Sequence, residues 1–224
     1  LLILAGAGSG KTSVLTKRVA YLIKERNVSP KNIVAITFTN KAAKEMKERI
    51  IKEVGKEGYD IQISTFHSFG LRIIKENYEK LGYEKNFTII DSDDSLTVVK
   101  KILKEMGIDS TRFNPKFIKN QISSCKNEMV TPEKYKNLVN DELSDITYKV
   151  YKKYQDTLLR NNSLDFDDLL IKPIELFNKY KEVLENYQEL FKYVFIDEYQ
   201  DTNEAQYILS KMISAKYKNI CVVG

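Results

Sequence analysis

Long apolar runs, cysteines, histidines and repeats are what this 224-residue sequence has least of. No run approaches membrane-spanning length. The opening Leu1-Leu2-Ile3-Leu4 is too short for the apolar core of a signal peptide, and no basic segment precedes it. The two cysteines, Cys125 and Cys221, match no zinc spacing and no disulfide framework. That points to a reducing, cytoplasmic compartment. A lone histidine, His67, more often completes a structural hydrogen bond than grips a ligand. There is no internal repeat and no low-complexity linker. A methionine is absent from position 1, and both ends fall in strand-like runs, so the sequence reads as a piece of a longer chain.

What remains is 42% hydrophobic and 30% charged, with a net charge of +5. That suits one large domain, or one domain carrying an insertion, with a real core and a solvated surface. The mild basic bias is compatible with nucleic acid and weak evidence for it.

Strand and helix alternate through the first third. Leu1 to Ala5, Ile33 to Phe38 and Ile61 to Thr65 read as strands. Helical spacing follows each: Val14, Leu15, Val19, Leu22 and Ile23; then Ala43, Met46, Ile50 and Val54 after a cap at Asn40; then Phe69, Ile73 and Ile74, ending near Gly82. Strict alternation predicts an α/β fold, a parallel sheet covered by helices on both faces. From about residue 87 only helical patterns follow, one through Val98, Val99, Ile102 and Leu103. Asn114-Pro115 and Thr131-Pro132 each read as a cap followed by proline at the first helical position. The Tyr148, Tyr151 and Tyr154 series reads as packing, and Pro173 should kink or break its helix. Strands resume at Tyr193 to Ile196 and Asn219 to Val223. The expected organisation is therefore 1–86 and 189–224 as one α/β domain, interrupted by an all-helical insertion over 87–188.

Ala5-Gly6-Ala7-Gly8-Ser9-Gly10-Lys11-Thr12 lies between the first strand and the first helix. It reads as a phosphate-binding loop: glycines let backbone N–H groups face the phosphates, and the new helix adds the positive end of its dipole. Lys11 would reach the β and γ phosphates of ATP, and the Thr12 hydroxyl would ligate Mg²⁺. Ala5 stands where the strict pattern has glycine. Far downstream, Val194-Phe195-Ile196 runs into Asp197 and Glu198. A carboxylate closing a buried strand suits the second metal anchor, Asp197, and its neighbour Glu198 suits the base that deprotonates an attacking water. The alternative is an acidic turn, with Asp201 and Thr202 capping the next helix.

These two motifs, Asp197-Glu198-Tyr199-Gln200-Asp201-Thr202-Asn203 included, resemble those of the superfamily 1 DNA helicases of the UvrD, Rep and PcrA type, with the PcrA branch nearest. Ala35-Ile36-Thr37-Phe38-Thr39-Asn40-Lys41-Ala42-Ala43 resembles the family's motif Ia. Ser64-Thr65-Phe66-His67-Ser68 resembles its motif Ib, and Ser163-Leu164-Asp165-Phe166-Asp167-Asp168-Leu169 a further DNA-contacting motif. The resemblance covers essentially the whole chain, in the family's order. It implies a RecA-like motor domain 1A with an inserted 1B subdomain. The implied activity is ATP- and Mg²⁺-dependent translocation 3′ to 5′ on single-stranded DNA, with unwinding at junctions with duplex. It also implies that a second motor domain completes the ATP site, so this piece alone should be a poor ATPase and no helicase. Gln200 resembles a position that senses the γ-phosphate, with Tyr199 packed nearby. Thr37, Phe38, Asn40, Lys41, Thr65, His67 and Phe166 are the implied DNA contacts; Phe38 and Phe166 read either as base-stacking faces or as packing. Two alternatives stay open: the motor of a related helicase–nuclease, and a phosphate-loop ATPase that does not act on DNA.

Overall fold

The computed structural model describes residues 1–4 and 10–224. The chain runs β1 (Leu2–Ile3), α1 (Lys11–Arg26), β2 (Ile33–Thr37), α2 (Asn40–Val54), β3 (Gln62–Thr65) and α3 (Phe66–Asn77). It continues through β4 (Thr88–Ile89), α4 (Ser92–Glu105), α5 (Pro115–Asn127), α6 (Pro132–Lys136), α7 (Glu142–Arg160), β5 (Ser163–Leu164) and α8 (Asp168–Lys179). It closes with α9 (Lys181–Leu190), β6 (Tyr193–Ile196), α10 (Glu204–Ser214) and β7 (Ile220–Val223).

Two compact units result, one from 1–70 with 174–224, the other from 71–173. The composition change at 86/87 and the return near 188/189 lie later than these divisions. The physical reason is plain: the chain passes between units inside α3 and α8, whose helical spacing continues without a break.

In the first unit the strands form one parallel sheet in the order β1-β7-β6-β2-β3. Every residue of β2 is buried, as a central parallel strand covered on both faces requires. Leu15, Val19 and Ile23 of α1 and Met46 and Ile50 of α2 pack with Ile33, Ala35, Phe195, Cys221 and Val223. Elsewhere α10 packs against β6 and α9, and the Gln188 amide donates to the Met212 carbonyl (2.7 Å).

The second unit is built on α4, α5 and α7. Its core joins Val99, Ile102 and Leu103 to Ile118, Ile122 and Cys125, and to Val150, Tyr151, Tyr154 and Leu158. The tyrosine series is packing at Tyr151 and Tyr154, both buried, and half-buried at Tyr148. Asp91, Asn114 and Thr131 cap their helices with side-chain oxygens, each supplying a partner for an orphan backbone N–H.

Four local expectations need correction. The cap of α2 is Thr39, which accepts from Ala42 N (3.1 Å); Asn40 is already helical. The cap of α10 is Asn203, in a reciprocal box with Gln206, rather than Asp201 or Thr202. The inserted block is helical except for a parallel ladder of β4 with β5, Thr88 beside Ser163 and Ile89 beside Leu164. Of the kink or break expected at Pro173, the break does not occur: α8 runs on to Lys179, forgoing one backbone donor near its middle. No helix among the described residues is long and apolar enough to cross a membrane.

Candidate active site

Because the sheet is parallel, its strands end on one edge. Thr37 pairs with Thr65, and Ile36 with Ile196, so Asp197 follows directly beside the end of β2. The Asp197 N–H donates to the Ile36 carbonyl (3.0 Å), fixing the carboxylate at that edge. In open parallel sheets ligands bind outside the carboxyl ends of the strands.

Helix α1 brings Lys11 and Thr12 to the same place. The Thr12 hydroxyl donates to Asp197 Oδ2 (2.9 Å), and Lys11 Nζ donates to Glu198 Oε2 (3.2 Å). The sequence separations are 185 and 187 residues, so the fold alone creates these contacts. Gly10, in the left-handed region at φ 86°, opens α1. The expected phosphate-loop residues Ala5, Gly6, Ala7, Gly8 and Ser9 lie outside the described residues.

The two adjacent acids have opposite environments. Asp197 is 2% exposed. Burial pushes its carboxyl above the ordinary carboxylate range, against the Thr12 hydrogen bond. Glu198 is held below its ordinary value by the Gln200 amide first and by Lys11. Gln200 Nε2 donates to Glu198 Oε2 (2.7 Å) and to Asp201 Oδ2 (3.1 Å). Glu198 itself sits in the left-handed region, φ 51° and ψ 43°, uncommon for a residue with a Cβ. Tyr199 is half-buried beside it.

Thr12 and Asp197 fit a magnesium ion. Both offer the hard oxygen atoms that magnesium takes as ligands, and the fold brings them within hydrogen-bond distance of each other. A buried, otherwise costly carboxylate is the second sign of fit.

The remaining expected contacts divide. Thr37 is buried and its hydroxyl donates to the Thr39 carbonyl (3.1 Å). Thr65 is buried too; its oxygen accepts from Ser68 N (3.2 Å) and lies 3.0 Å from Ser68 Oγ, capping α3. Asn40 and Lys41 are exposed at the start of α2, and His67 is half-buried in the first turn of α3. Phe38 is half-buried, edge-on to Phe66 with ring centres 5.7 Å apart. Phe66 is the core member of that pair. Phe166 belongs to the second unit and is 56% exposed.

The chain matches the model of the UvrD/REP helicase N-terminal domain over residues 1–224. It belongs to that family. It is 54% identical over its full length to the ATP-dependent DNA helicase PcrA of Staphylococcus epidermidis, and 53% identical to that of Staphylococcus aureus. In each case all of this chain is matched and 31% of the relative, so the chain spans about a third of the length of these helicases. Three contacts are visible only in the structure. Asp201 is the second acceptor of Gln200. Gly224 approaches Gln200 so closely that a Cβ there would lie 2.8 Å from Gln200 Oε1. Lys126 is fully buried between Asp165 and Asp168.

Proposed function

We propose that the full-length protein is an ATP-dependent DNA helicase that translocates 3′ to 5′ on single-stranded DNA and unwinds at junctions with duplex. The first unit is its 1A motor domain and the second its 1B subdomain. The observation that carries this is the pairing of Lys11 with Glu198 and Thr12 with Asp197, on the strand edge where β2 and β3 also end. The activity after which the relatives are named points the same way.

Each residue then has a task. Lys11 exchanges Glu198 for the nucleotide phosphates, whose charge exceeds that of one carboxylate. Thr12 and Asp197 would hold Mg²⁺, which would supply charge neutralisation on the phosphates. Glu198, released by Lys11, accepts the proton of the attacking water. Gln200 bonds Glu198 directly, so its position registers whether that carboxylate is occupied. Phe38, Asn40, Lys41, His67 and Phe166 contact the strand, by stacking or through phosphates. Thr37 and Thr65 shape the turns that present them.

The test is ATP hydrolysis by the full-length protein with and without single-stranded DNA, using Lys11→Ala as the blank. Stimulation by DNA that vanishes in the variant is the expected result. Turnover indifferent to DNA would refute a DNA motor. The 224-residue chain alone should hydrolyse ATP poorly and unwind nothing.

A further inference from the structure

The second unit holds a buried charged cluster that the nucleotide chemistry does not use. Lys126 Nζ of α5 donates to Asp165 Oδ2 (2.7 Å) and to Asp168 Oδ1 (2.9 Å). The Lys126 side chain is fully buried, as is that of Asp168. The Tyr154 hydroxyl of α7 donates to the same Asp165 oxygen (3.0 Å), and Gln155 Nε2 reaches Asp168 Oδ1 (3.4 Å). The turn is also closed on itself. Asp168 N–H donates to Asp165 Oδ1 (2.9 Å), and Asp165 N–H donates to Asp168 Oδ2 (3.2 Å). Asn127, next to Lys126, donates to Asp167 Oδ1 (3.0 Å).

Such a cluster is a poor way to gain stability. Two carboxylates and one ammonium are taken out of water, and an apolar replacement of equal volume generally does as well. What it does provide is fixed geometry. Asp165, Asp167 and Asp168 are each bonded to α5 or α7, and Phe166 in the same turn is 56% exposed. Its ring borders a cleft of about 260 Å³ walled by Ile90, Lys119, Ile122 and Ser123. That is just under the roughly 300 Å³ at which small-molecule sites begin. It gives room beside the ring for part of a strand rather than for a separate ligand.

We propose that Lys126 is a positioning residue for the single-strand contact of Phe166, clamping Asp165 and Asp168 so that the ring is held outward before DNA arrives. This rests on the reading of Phe166 as a DNA contact. Pre-set orientation matters because a ring that must be ordered on binding forfeits part of its stacking to entropy.

The experiment is a double-mutant cycle on the full-length protein, read as the Kd for a fluorescent oligo-dT. The variants are Phe166→Ala, the pair Lys126→Met with Asp168→Asn, and all three together. The second neutralises one carboxylate along with the lysine, leaving the cluster's net charge unchanged. Cooperative melting checks that each is folded. Loss of one stacked base should weaken binding about tenfold. The Lys126/Asp168 pair should do nearly as much, and should add nothing once Phe166 is alanine. A full additional loss in the Phe166→Ala background, or no loss in the wild-type background, overturns the positioning role and leaves the Phe166 contact standing. Wild-type affinity in Phe166→Ala instead overturns the contact itself, and the proposal with it. Should the pair fail to fold, Tyr154→Phe removes one strut only. Its expected loss of about threefold must likewise vanish when Phe166 is alanine, and persistence of that loss overturns the proposal.

Discussion

Glu198 gives a test in which the ordinary ranking of two substitutions should reverse. Its φ of 51° places it in the left-handed region, which costs a residue with a Cβ about 1–2 kcal/mol. Glu198→Ala and Glu198→Gly both lose the hydrogen bonds from Lys11 and Gln200, so those losses cancel between them. Alanine retains the strain. Glycine relieves it, but adds about 0.4–1 kcal/mol of freedom to the unfolded chain. The balance leaves the glycine variant more stable by about 0.5–1 kcal/mol. At an unstrained helical site the order is the opposite, with alanine ahead by a similar amount. Exposed Glu48 in α2 provides that control within the same unit.

The difference corresponds to about 1–4 °C in melting temperature for a chain of this size. With no tryptophan in the sequence, far-UV circular dichroism is the natural readout, supported by urea midpoints. Neither variant should turn over ATP. Alanine equal to or above glycine at 198 would refute the argument that the fold stores strain at this carboxylate. It would refute it most sharply if the Glu48 control behaved as expected.

Four further outcomes follow from the geometry. Glu198→Gln should abolish ATP turnover in the full-length protein while sparing ATP binding, measured by equilibrium binding and steady-state hydrolysis; retained turnover removes Glu198 as the base. Thr12→Val deletes the hydroxyl bonded to Asp197, and the Mg²⁺ dependence of hydrolysis should shift to concentrations roughly ten- to a hundredfold higher. Phe66→Ala should cost about 3–5 kcal/mol of stability, whereas Phe38→Ala should leave the melt nearly unchanged and weaken oligo-dT binding; the reverse pattern would exchange their roles. Burial, then the charge of Asp168, pushes the Asp165 carboxyl up from 3.8 to about 6. An acid whose folded value is raised favours the fold at low pH, and that contribution is lost as pH rises through the window from 3.8 to about 6. Asp165→Asn should therefore gain on the wild type in urea midpoint between pH 4.5 and pH 7, and a constant difference would contradict the shift.

The parts legible in the sequence were those written in local chemistry. Tyr193–Ile196 is a short apolar run and forms β6 as read. Asn114 and Thr131 precede their helices with side chains that reach only three residues ahead. Elsewhere, local chemistry offered two answers. Thr39 and Asn40 are both good caps, and the extended backbone at Thr39, φ −125° and ψ 148°, decides between them. The β4–β5 ladder pairs residues 75 apart, and no pattern within either short segment announces it. Lys126 was the most deceptive. A lysine beside an asparagine reads as surface, yet it continues the four-residue spacing of Ile118 and Ile122, on the face that α5 buries. A charged residue on an apolar stripe was the available signal. Its partners, Asp165 and Asp168, could not be paired with it before the turn and α5 were brought together.

The same distinction bears on how a nucleotide signal could leave the site. Strands β6 and β2 are bonded in register, and Asp197 N–H continues that ladder onto Ile36. A packed parallel sheet does not slide in small steps, so Asp197 and the loop carrying Phe38 stay fixed relative to each other along the strands. Whatever moves must therefore be side chains and turns at the strand ends. Lys11 is one, since on the proposed function phosphates would compete directly with Glu198 for it. Gln200 is the other: Glu198 and Asp201 accept its amide, and Gly224 lies close against its carbonyl oxygen. Were Glu198 drawn toward an attacking water, as proposed, the shorter of those two bonds would break and Gln200 would keep Asp201 as its acceptor. On the proposed mechanism Lys11, Glu198 and Gln200 are the residues at this edge that would exchange partners when phosphate arrives, and Gln200 is where that change would first reach beyond the catalytic pair.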